Sequence, residues 1–345
     1  MHRSPLIISA ALTVLATAAW AKPDAQALRK VDWKNHTYTH ADGPKGGTTL
    51  KNGEWAMDHM TGDEIDYSES LSLHGVVYAD LDGDGVEEAA VHLNYWGGGT
   101  GRFDAVNIYA ADDKGKPKQI GRLPGGDRGD GGVANIKARP KDKAIELSRM
   151  SALSADGACC PSLLFIERWG MKNGKLVEQR EHIKVTSFEE KTDDAKGSYQ
   201  SHYQAGLVEL KAQAYDVATR HFIDALMFKP GDASATGKLG FALMKTGDFA
   251  AADVLSAAAA VQSNPKKKAM ILYNAGKVAL ESGEYSEYYA EAVKYFEASL
   301  ALRPGNKPTL KALAEAKAAL AKTQARDAAR AKEAAKRKAE AAKKK

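Results

Sequence analysis

A run of acidic residues at alternate positions is the most distinctive chemical feature of this sequence. It reads Asp80-Leu81-Asp82-Gly83-Asp84-Gly85-Val86-Glu87-Glu88. Carboxylates spaced in this way can converge on one hard cation, while the glycines allow the sharp turn that the loop needs. One interpretation is a structural calcium ion, with ligands from Asp80, Asp82, Asp84, the Val86 carbonyl and Glu88. The alternative is an Asx-rich turn without metal, in which the carboxylates accept backbone amide protons.

This loop does not have the pattern of an EF-hand. An EF-hand loop has a glutamate at its twelfth position, and the twelfth residue counted from Asp80 is Val91. The Asp-x-Asp-Gly-Asp-Gly pattern resembles the strand-connecting loops of calcium-binding β-propeller repeats. If a metal ion binds this loop, we expect its role to be structural.

The only two cysteines, Cys159 and Cys160, are adjacent. They can form a vicinal disulfide, bridge to another chain or remain as thiols, and an oxidising compartment favours the disulfide. No Cys-x-x-C motif lowers a thiolate pKa here, and the histidines stand in no recognisable catalytic motif. Asp58 and His59 are neighbours, so on a strand they would point to opposite faces. We therefore predict no enzymatic activity.

The N-terminus has the features of an export signal. A short apolar run follows Arg3 and ends in Ala19-Trp20-Ala21, a small-x-small cleavage motif. We predict a signal peptide at 1–21 and a periplasmic or secreted protein with no transmembrane anchor after cleavage. The alternative is an uncleaved anchor, although the run is short for a spanning helix.

Residues 22–191 are predicted to form a β-rich domain. Short runs of branched and aromatic residues alternate with turn sequences, of which Asn173-Gly174 is a strong hairpin signal. Sequential hairpins predict a mainly antiparallel sheet. The Asp-Gly loop, the Cys159-Cys160-Pro161-Ser162 turn and the Asn173-Gly174 hairpin together resemble an uncharacterised β-rich domain of secreted bacterial proteins. That resemblance implies an exported bacterial protein and no known activity. A polar linker is predicted at 192–197.

Residues 198–307 contain a repeated helical pattern. Gly206 and Gly240 are 34 residues apart, and so are Ala218 and Ala252. A fixed period of this length predicts a solenoid of helix pairs. The pattern resembles the tetratricopeptide repeat family, with Gly276 starting a third, longer unit. Phe222 and Phe296 are the bulky residues of the outer units, but Ser256 occupies the matching place in the middle unit, which predicts thinner packing there.

The family resemblance also implies a concave groove that grips a peptide or another protein. By that pattern its predicted lining is Tyr203, Leu207, Lys211, Phe241, Lys245, Tyr273 and Lys277. Lysines beside aromatic residues would suit a peptide with acidic residues or a free carboxylate. The alternative is that these are ordinary solvated or packing positions.

The C-terminal segment at 308–345 is predicted to be a capping helix that continues into a basic Ala/Lys-rich tail. From Lys322 onward basic residues outnumber acidic ones ten to three, so this tail carries a charge of +7 and the rest of the chain carries −2. The folded body therefore gives no reason to expect nucleic acid, although the tail could contact anionic surfaces.

The sequence thus predicts an α+β multidomain protein: a β-rich N-terminal domain, an all-α repeat solenoid and a basic helical tail. The predicted function is a periplasmic scaffold that binds a peptide or protein through its repeats. The alternative is a β-domain that binds calcium and an envelope polymer or glycan, with the repeats as a spacer.

Overall fold

The structure is a computed structural model that describes residues 24–127, 129–157, 159–189, 196–283 and 285–343. The predicted signal peptide at 1–21 and most of the predicted linker lie outside the described residues. Strands form the N-terminal half and seven helices form the C-terminal half, so the predicted α+β class is confirmed.

Two five-stranded sheets make up the β part, and every strand pair is antiparallel, as predicted. A short pair, β1 (Thr37–Tyr38) and β2 (Thr48–Thr49), precedes them. The first sheet runs in chain order and contains β3 (Glu54–Thr61), β4 (Glu64–Ala79), β5 (Glu88–Trp96), β6 (Phe103–Ala111) and β7 (Pro117–Leu123). The second contains β8 (Val133–Arg139), β9 (Ala144–Ser151), β10 (Leu163–Lys172), β11 (Lys175–Glu178) and β12 (Lys184–Ser187).

Strand β5 is the centre of the first sheet and is buried along almost its whole length. Its alternating residues face two different cores, because successive side chains of a strand point to opposite faces. Val91 packs with Trp33, Tyr38 and other residues of the N-terminal segment, while Ala90 packs with residues of the second sheet. Strand β5 is therefore covered on both faces.

Strand β10 organises the second sheet. It pairs with β9 on one edge and with both β12 and β11 on the other. The hairpin from β10 to β11 turns at Asn173 and Gly174, which both have positive φ, so the predicted Asn-Gly hairpin is confirmed.

The seven helices pack in chain order, each against the next. They are α1 (Tyr199–Lys211), α2 (Tyr215–Phe228), α3 (Ala233–Thr246), α4 (Ala251–Val261), α5 (Pro265–Glu281), α6 (Ser286–Leu302) and α7 (Lys307–Lys343). α3 also contacts α5, and α5 contacts α7.

The repeat glycines allow the helices of each pair to approach closely. A Cβ on Gly206 would fall 2.7 Å from the Phe222 ring, and one on Gly276 would fall 2.6 Å from the Phe296 ring. In the middle pair Leu255 fills the same role against Gly240, where a Cβ would fall 2.7 Å from its side chain.

The expectation of thin packing at Ser256 is therefore wrong. Leu255, one residue earlier, is fully buried and replaces the missing aromatic ring. The Ser256 hydroxyl instead accepts a hydrogen bond of 2.8 Å from the Arg180 guanidinium, at the boundary with the β part.

The helices and the second sheet share one hydrophobic core. Leu163, Phe165 and Val185 of the sheet belong to the same buried cluster as Leu226 of α2 and Leu255 of α4. Backbone and side-chain hydrogen bonds cross the same boundary, including Gly231 N to the Val185 carbonyl at 2.9 Å and Ser154 N to the Asp248 carboxylate at 2.7 Å. The β and helical parts are thus joined by packing as well as by the chain.

Helix α7 begins as part of the core and then leaves it. Ala312 and Ala316 are buried, whereas residues 324–338 are all exposed. Within the described ranges, no helix combines the length and apolar character needed to cross a membrane.

Candidate functional site

A cavity of about 500 Å³ lies on the face formed by α1, α3 and α5. Its floor is mainly apolar, and its lining residues are Tyr203, Ala233, Ser234, Gly237, Lys238, Phe241, Gln262, Lys267, Met270, Ile271 and Asn274. This volume lies in the usual range for ligand pockets, about 300–1,000 Å³.

Two aromatic residues of the cavity are held by neighbouring side chains. The Tyr203 ring stacks on Tyr199 with centroids 5.5 Å apart, and the Tyr199 hydroxyl donates to Asp232 at 2.8 Å. Phe241 lies beneath the Lys245 ammonium, which is 5.5 Å from the ring centroid. Because these contacts restrict the rings, the cavity has a preformed aromatic wall.

The charge of the cavity lining is entirely positive. Lys238 and Lys267 contribute ammonium groups, and no aspartate or glutamate lines the cavity. Neither lysine forms a salt bridge with any residue that the structure describes. An anionic group entering the cavity would therefore meet two ammonium groups that form no salt bridge with a described carboxylate.

The residues predicted for the groove fall into separate places. Tyr203 and Phe241 line the cavity, and Lys245 lies against Phe241. Leu207 packs against the helical core, and Lys211 is exposed away from the lining.

The third-unit residues lie outside this cavity. Tyr273 lines a smaller cavity of about 170 Å³ beside Ser299 and Thr309. Lys277 pairs with Glu281 at 3.0 Å, one helical turn away. The predicted set is thus divided between the cavity, the core and the outer surface.

Sequence reasoning missed Lys238, Asn274 and Met270. A signal for them exists, because Lys238 and Asn274 each stand two residues before a repeat glycine. Met270 stands six residues before Gly276, as Ser234 does before Gly240. Reading every position relative to the repeat glycines, rather than only the aromatic and lysine positions, would have found them.

The acidic loop after β4 is folded around backbone hydrogen bonds. Asp80 accepts from the amides of Gly83 and Gly85, at 2.6 and 3.0 Å, and Asp82 accepts from the Asp84 amide at 3.0 Å. Asp84 accepts from the Val86 amide at 2.7 Å. These contacts are the ones expected of the Asx-rich turn.

The same loop also brings carboxylates together. One oxygen each from Asp80, Asp82 and Glu88 lies within 4.8 Å of the others. Glu88 is buried and accepts from the Leu81 amide at 2.8 Å. Burial raises the pKa of Glu88 to about 7; the Leu81 hydrogen bond opposes this shift, and the neighbouring aspartates add to it. A cation would relieve the repulsion among these groups.

The two cysteines lie in an exposed loop before β10. Their sulfur atoms are at disulfide distance, in agreement with the vicinal option. The Asp156 carboxylate organises the loop by accepting from Leu153 N at 2.7 Å and Ser162 N at 2.8 Å. The loop is therefore held by local bonds on both sides of the pair.

Three neighbouring strands bring together a polar network that the sequence did not predict. His74 occupies a bulge in β4, between Leu73 and Gly75, and its ring lies 5.0 Å from His92 on β5. His92 Nε2 lies 2.8 Å from Asp104 Oδ1 on β6. One atom of each of these three side chains lies within 4.8 Å of the others.

Asp104 is the acceptor at the centre of this network. Asn94 Nδ2 donates to it at 3.1 Å and the Val133 amide donates at 2.9 Å. Burial alone would raise the pKa of Asp104, but the hydrogen bonds from His92, Val133 and Asn94 hold it below its usual value. The network thus ties the first sheet to the start of the second.

No protein-family model matches the sequence, and no curated protein sequence is significantly similar to it. The function must therefore be inferred from the sites themselves.

Proposed function

We propose that the protein is an exported scaffold whose tetratricopeptide-like helices bind a peptide segment of a protein partner. The observation that carries this proposal is the cavity on α1, α3 and α5, with its aromatic wall and its two unpaired lysines. The export signal predicted at 1–21 supports an encounter in the periplasm or outside the cell.

The shape of the cavity suits a short segment of an extended or helical peptide. Met270 is 55% exposed at the surface of the cavity, and Phe241 and Ile271 lie beside it. Apolar surface of this kind gains free energy when another apolar side chain covers it. A ligand side chain such as leucine or phenylalanine would therefore occupy the floor.

The charge of the cavity adds a second requirement. Lys238 and Lys267 come from different helices, so a carboxylate between them would contact both α3 and α5. Polar side chains of Asn274 and Gln262 can donate hydrogen bonds to the same ligand. The favoured partner is thus a peptide with an apolar side chain next to an acidic residue or a free carboxylate.

A photo-crosslinking amino acid at Met270 tests the proposal in intact cells. It should capture a defined partner, because this side chain is exposed within the cavity. The matched control is the same probe at Val208, which is 64% exposed on α1 and does not line the cavity. Capture of the same proteins from both positions would contradict a specific site.

Charge reversal separates the cavity lysines from the exposed lysine of the predicted groove. Lys238→Glu should abolish the Met270 crosslink, whereas Lys211→Glu should leave it unchanged, because Lys211 lies outside the lining. An equal loss in both variants would show that only the overall charge of the surface matters.

A second candidate function is calcium binding by the acidic loop, which the convergence of Asp80, Asp82 and Glu88 favours. Calcium would then stabilise the β part, which could bind an envelope polymer or glycan. The full chain should melt at a higher temperature in calcium than in chelator, because an ion that binds only the folded state stabilises it. Asp82→Asn should reduce that difference; identical melting curves for the unaltered protein in calcium and chelator would remove this candidate.

A further inference from the structure

Two histidines and an aspartate meet between the first two helices, away from the sites above. His202 lies on α1, and His221 and Asp224 lie one turn apart on α2. One ligand atom from each lies within 4.8 Å of the other two. All three residues are partly exposed, so the cluster is open to solvent on one side.

The hydrogen bonds of His202 define which of its nitrogens carries a proton. Its Nε2 lies 3.1 Å from the Lys196 carbonyl oxygen, which can only accept, so Nε2 is the protonated nitrogen. In the neutral ring Nδ1 then has a lone pair, and it faces Asp224 Oδ2 at 3.3 Å. Two acceptors that face each other at this distance require a cation or a second ring proton between them.

The distance between these two acceptors matches metal coordination. Zinc binds nitrogen and carboxylate oxygen at about 2.0–2.1 Å, which separates two tetrahedral ligands by about 3.3 Å. A backbone carbonyl that accepts from the other ring nitrogen is one of the usual outer partners of a metal-bound histidine. Lys196 supplies that partner here.

His221 provides an independent observation. Its Nδ1 is enclosed by the protein and has no hydrogen-bond partner among the described residues. A buried nitrogen left without a partner is costly. Its ring lies 6.0 Å from the ring of His202, so the two imidazoles flank one space.

We propose that His202, His221 and Asp224 form a site for a transition metal of the zinc class. Two imidazole nitrogens and one carboxylate oxygen favour such an ion over calcium, which prefers oxygen ligands. Water completes the coordination on the solvent side, where 41% of the Asp224 side chain is exposed.

The metal site would stabilise the start of the helical part, where α1 begins. The ion would clamp α1 to α2, and through His202 it would hold the Lys196 carbonyl, just before α1 begins. It would therefore fix the described residues that immediately precede the first helix pair.

Competition between the full-length protein and a chromophoric zinc chelator tests the proposal. Excess calcium in the buffer occupies sites made only of oxygen ligands. The unaltered protein should bind zinc, and Asp224→Ala or His202→Ala should weaken this binding at least about 100-fold, beyond the loss of about 10–100-fold caused by removing an outer partner. Asp224→Ala should remain folded because its side chain is partly in solvent, and circular dichroism verifies this.

Two control variants distinguish this cluster from other histidines. His74→Ala alters the network in the β part, and His182→Ala removes a histidine whose side chain is 44% exposed. Both should retain the zinc bound at the helical cluster. Undiminished binding by Asp224→Ala, loss only in His74→Ala, or no zinc binding by the unaltered protein would each overturn the proposal.

Discussion

The helical cavity and the His74–His92–Asp104 network differ in how the chain assembles them. Cavity residues recur at matching places around Gly240 and Gly276, so neighbouring repeats deliver them to one face. The network residues come from three strands and share no local pattern. They meet because β4, β5 and β6 pair in a specific register, with His74 displaced by a bulge.

This difference predicts a difference in energetics. Local helical positions depend on short-range packing and caps, so single changes there should have moderate effects. The network joins two sheets through one buried carboxylate, that of Asp104. Removing this carboxylate leaves several donors without acceptors. The most sensitive polar position of the protein should therefore lie in the β part.

The largest effect is expected from Asp104→Ala. The change leaves His92, Asn94 and the Val133 amide without their acceptor, and each buried donor left unpaired costs about 1–3 kcal/mol. The free energy of unfolding, measured with denaturant, should fall by at least about 3 kcal/mol. Asp104→Asn keeps one acceptor oxygen and should cost less; equal losses would contradict this account.

A smaller decrease in the free energy of unfolding is expected from Gly240→Ala in α3. The new methyl group would overlap Leu255, and overpacking of this kind costs about 1–3 kcal/mol. Gly237→Ala, on the same helix, is the matched control, because its Cβ would meet Ile271 only at 3.4 Å. If both variants have the same melting temperature, close packing at the repeat glycine is not what orders this helix pair.

Asp232→Ala tests a local cap at the start of α3. The carboxylate accepts from the amides of Ser234 and Ala235, both at 3.0 Å. It also accepts from the Tyr199 hydroxyl at 2.8 Å and pairs with the exposed Lys229 ammonium at 2.8 Å, and solvent can replace Asp232 at this ammonium. Loss of such a cap costs about 1 kcal/mol, up to about 2 kcal/mol. Asp232→Asn can still cap and should recover most of the stability, and thermal unfolding measures both variants. A loss as large as that of Asp104→Ala would break the contrast between local and long-range polar groups.

The smallest effect is expected from Ser256→Ala. It removes the hydrogen bond with Arg180, whose side chain is 48% exposed, so solvent can replace the lost partner. The free energy of unfolding should fall by less than about 1 kcal/mol. A larger decrease in the free energy of unfolding would show that this boundary contact contributes as much to stability as the buried network does.

Much of the helical part could be anticipated from the sequence, because helical contacts are local. The period of 34 residues located the helix pairs, and the glycines at 206, 240 and 276 marked their close approaches. The substitution of Leu255 for an aromatic residue was missed, because a shift of one residue in α4 changes which side chain faces Gly240. Lys238 was missed although its place two residues before Gly240 matches that of Asn274 before Gly276, whereas Lys267 was missed because only packing reveals that it enters the cavity.

The sequence by itself determined the α+β class, the Asn173-Gly174 hairpin and the composition of the acidic loop, all of which depend on residues close in the chain. Only the tertiary structure decided that the second sheet and the helices share a core. It also decided that His74 meets His92 and Asp104, and that His202 meets His221 and Asp224. Those contacts depend on strand register and on the rotation of one helix against another. Register and rotation follow from how the whole core packs, so no single stretch of the sequence determines them.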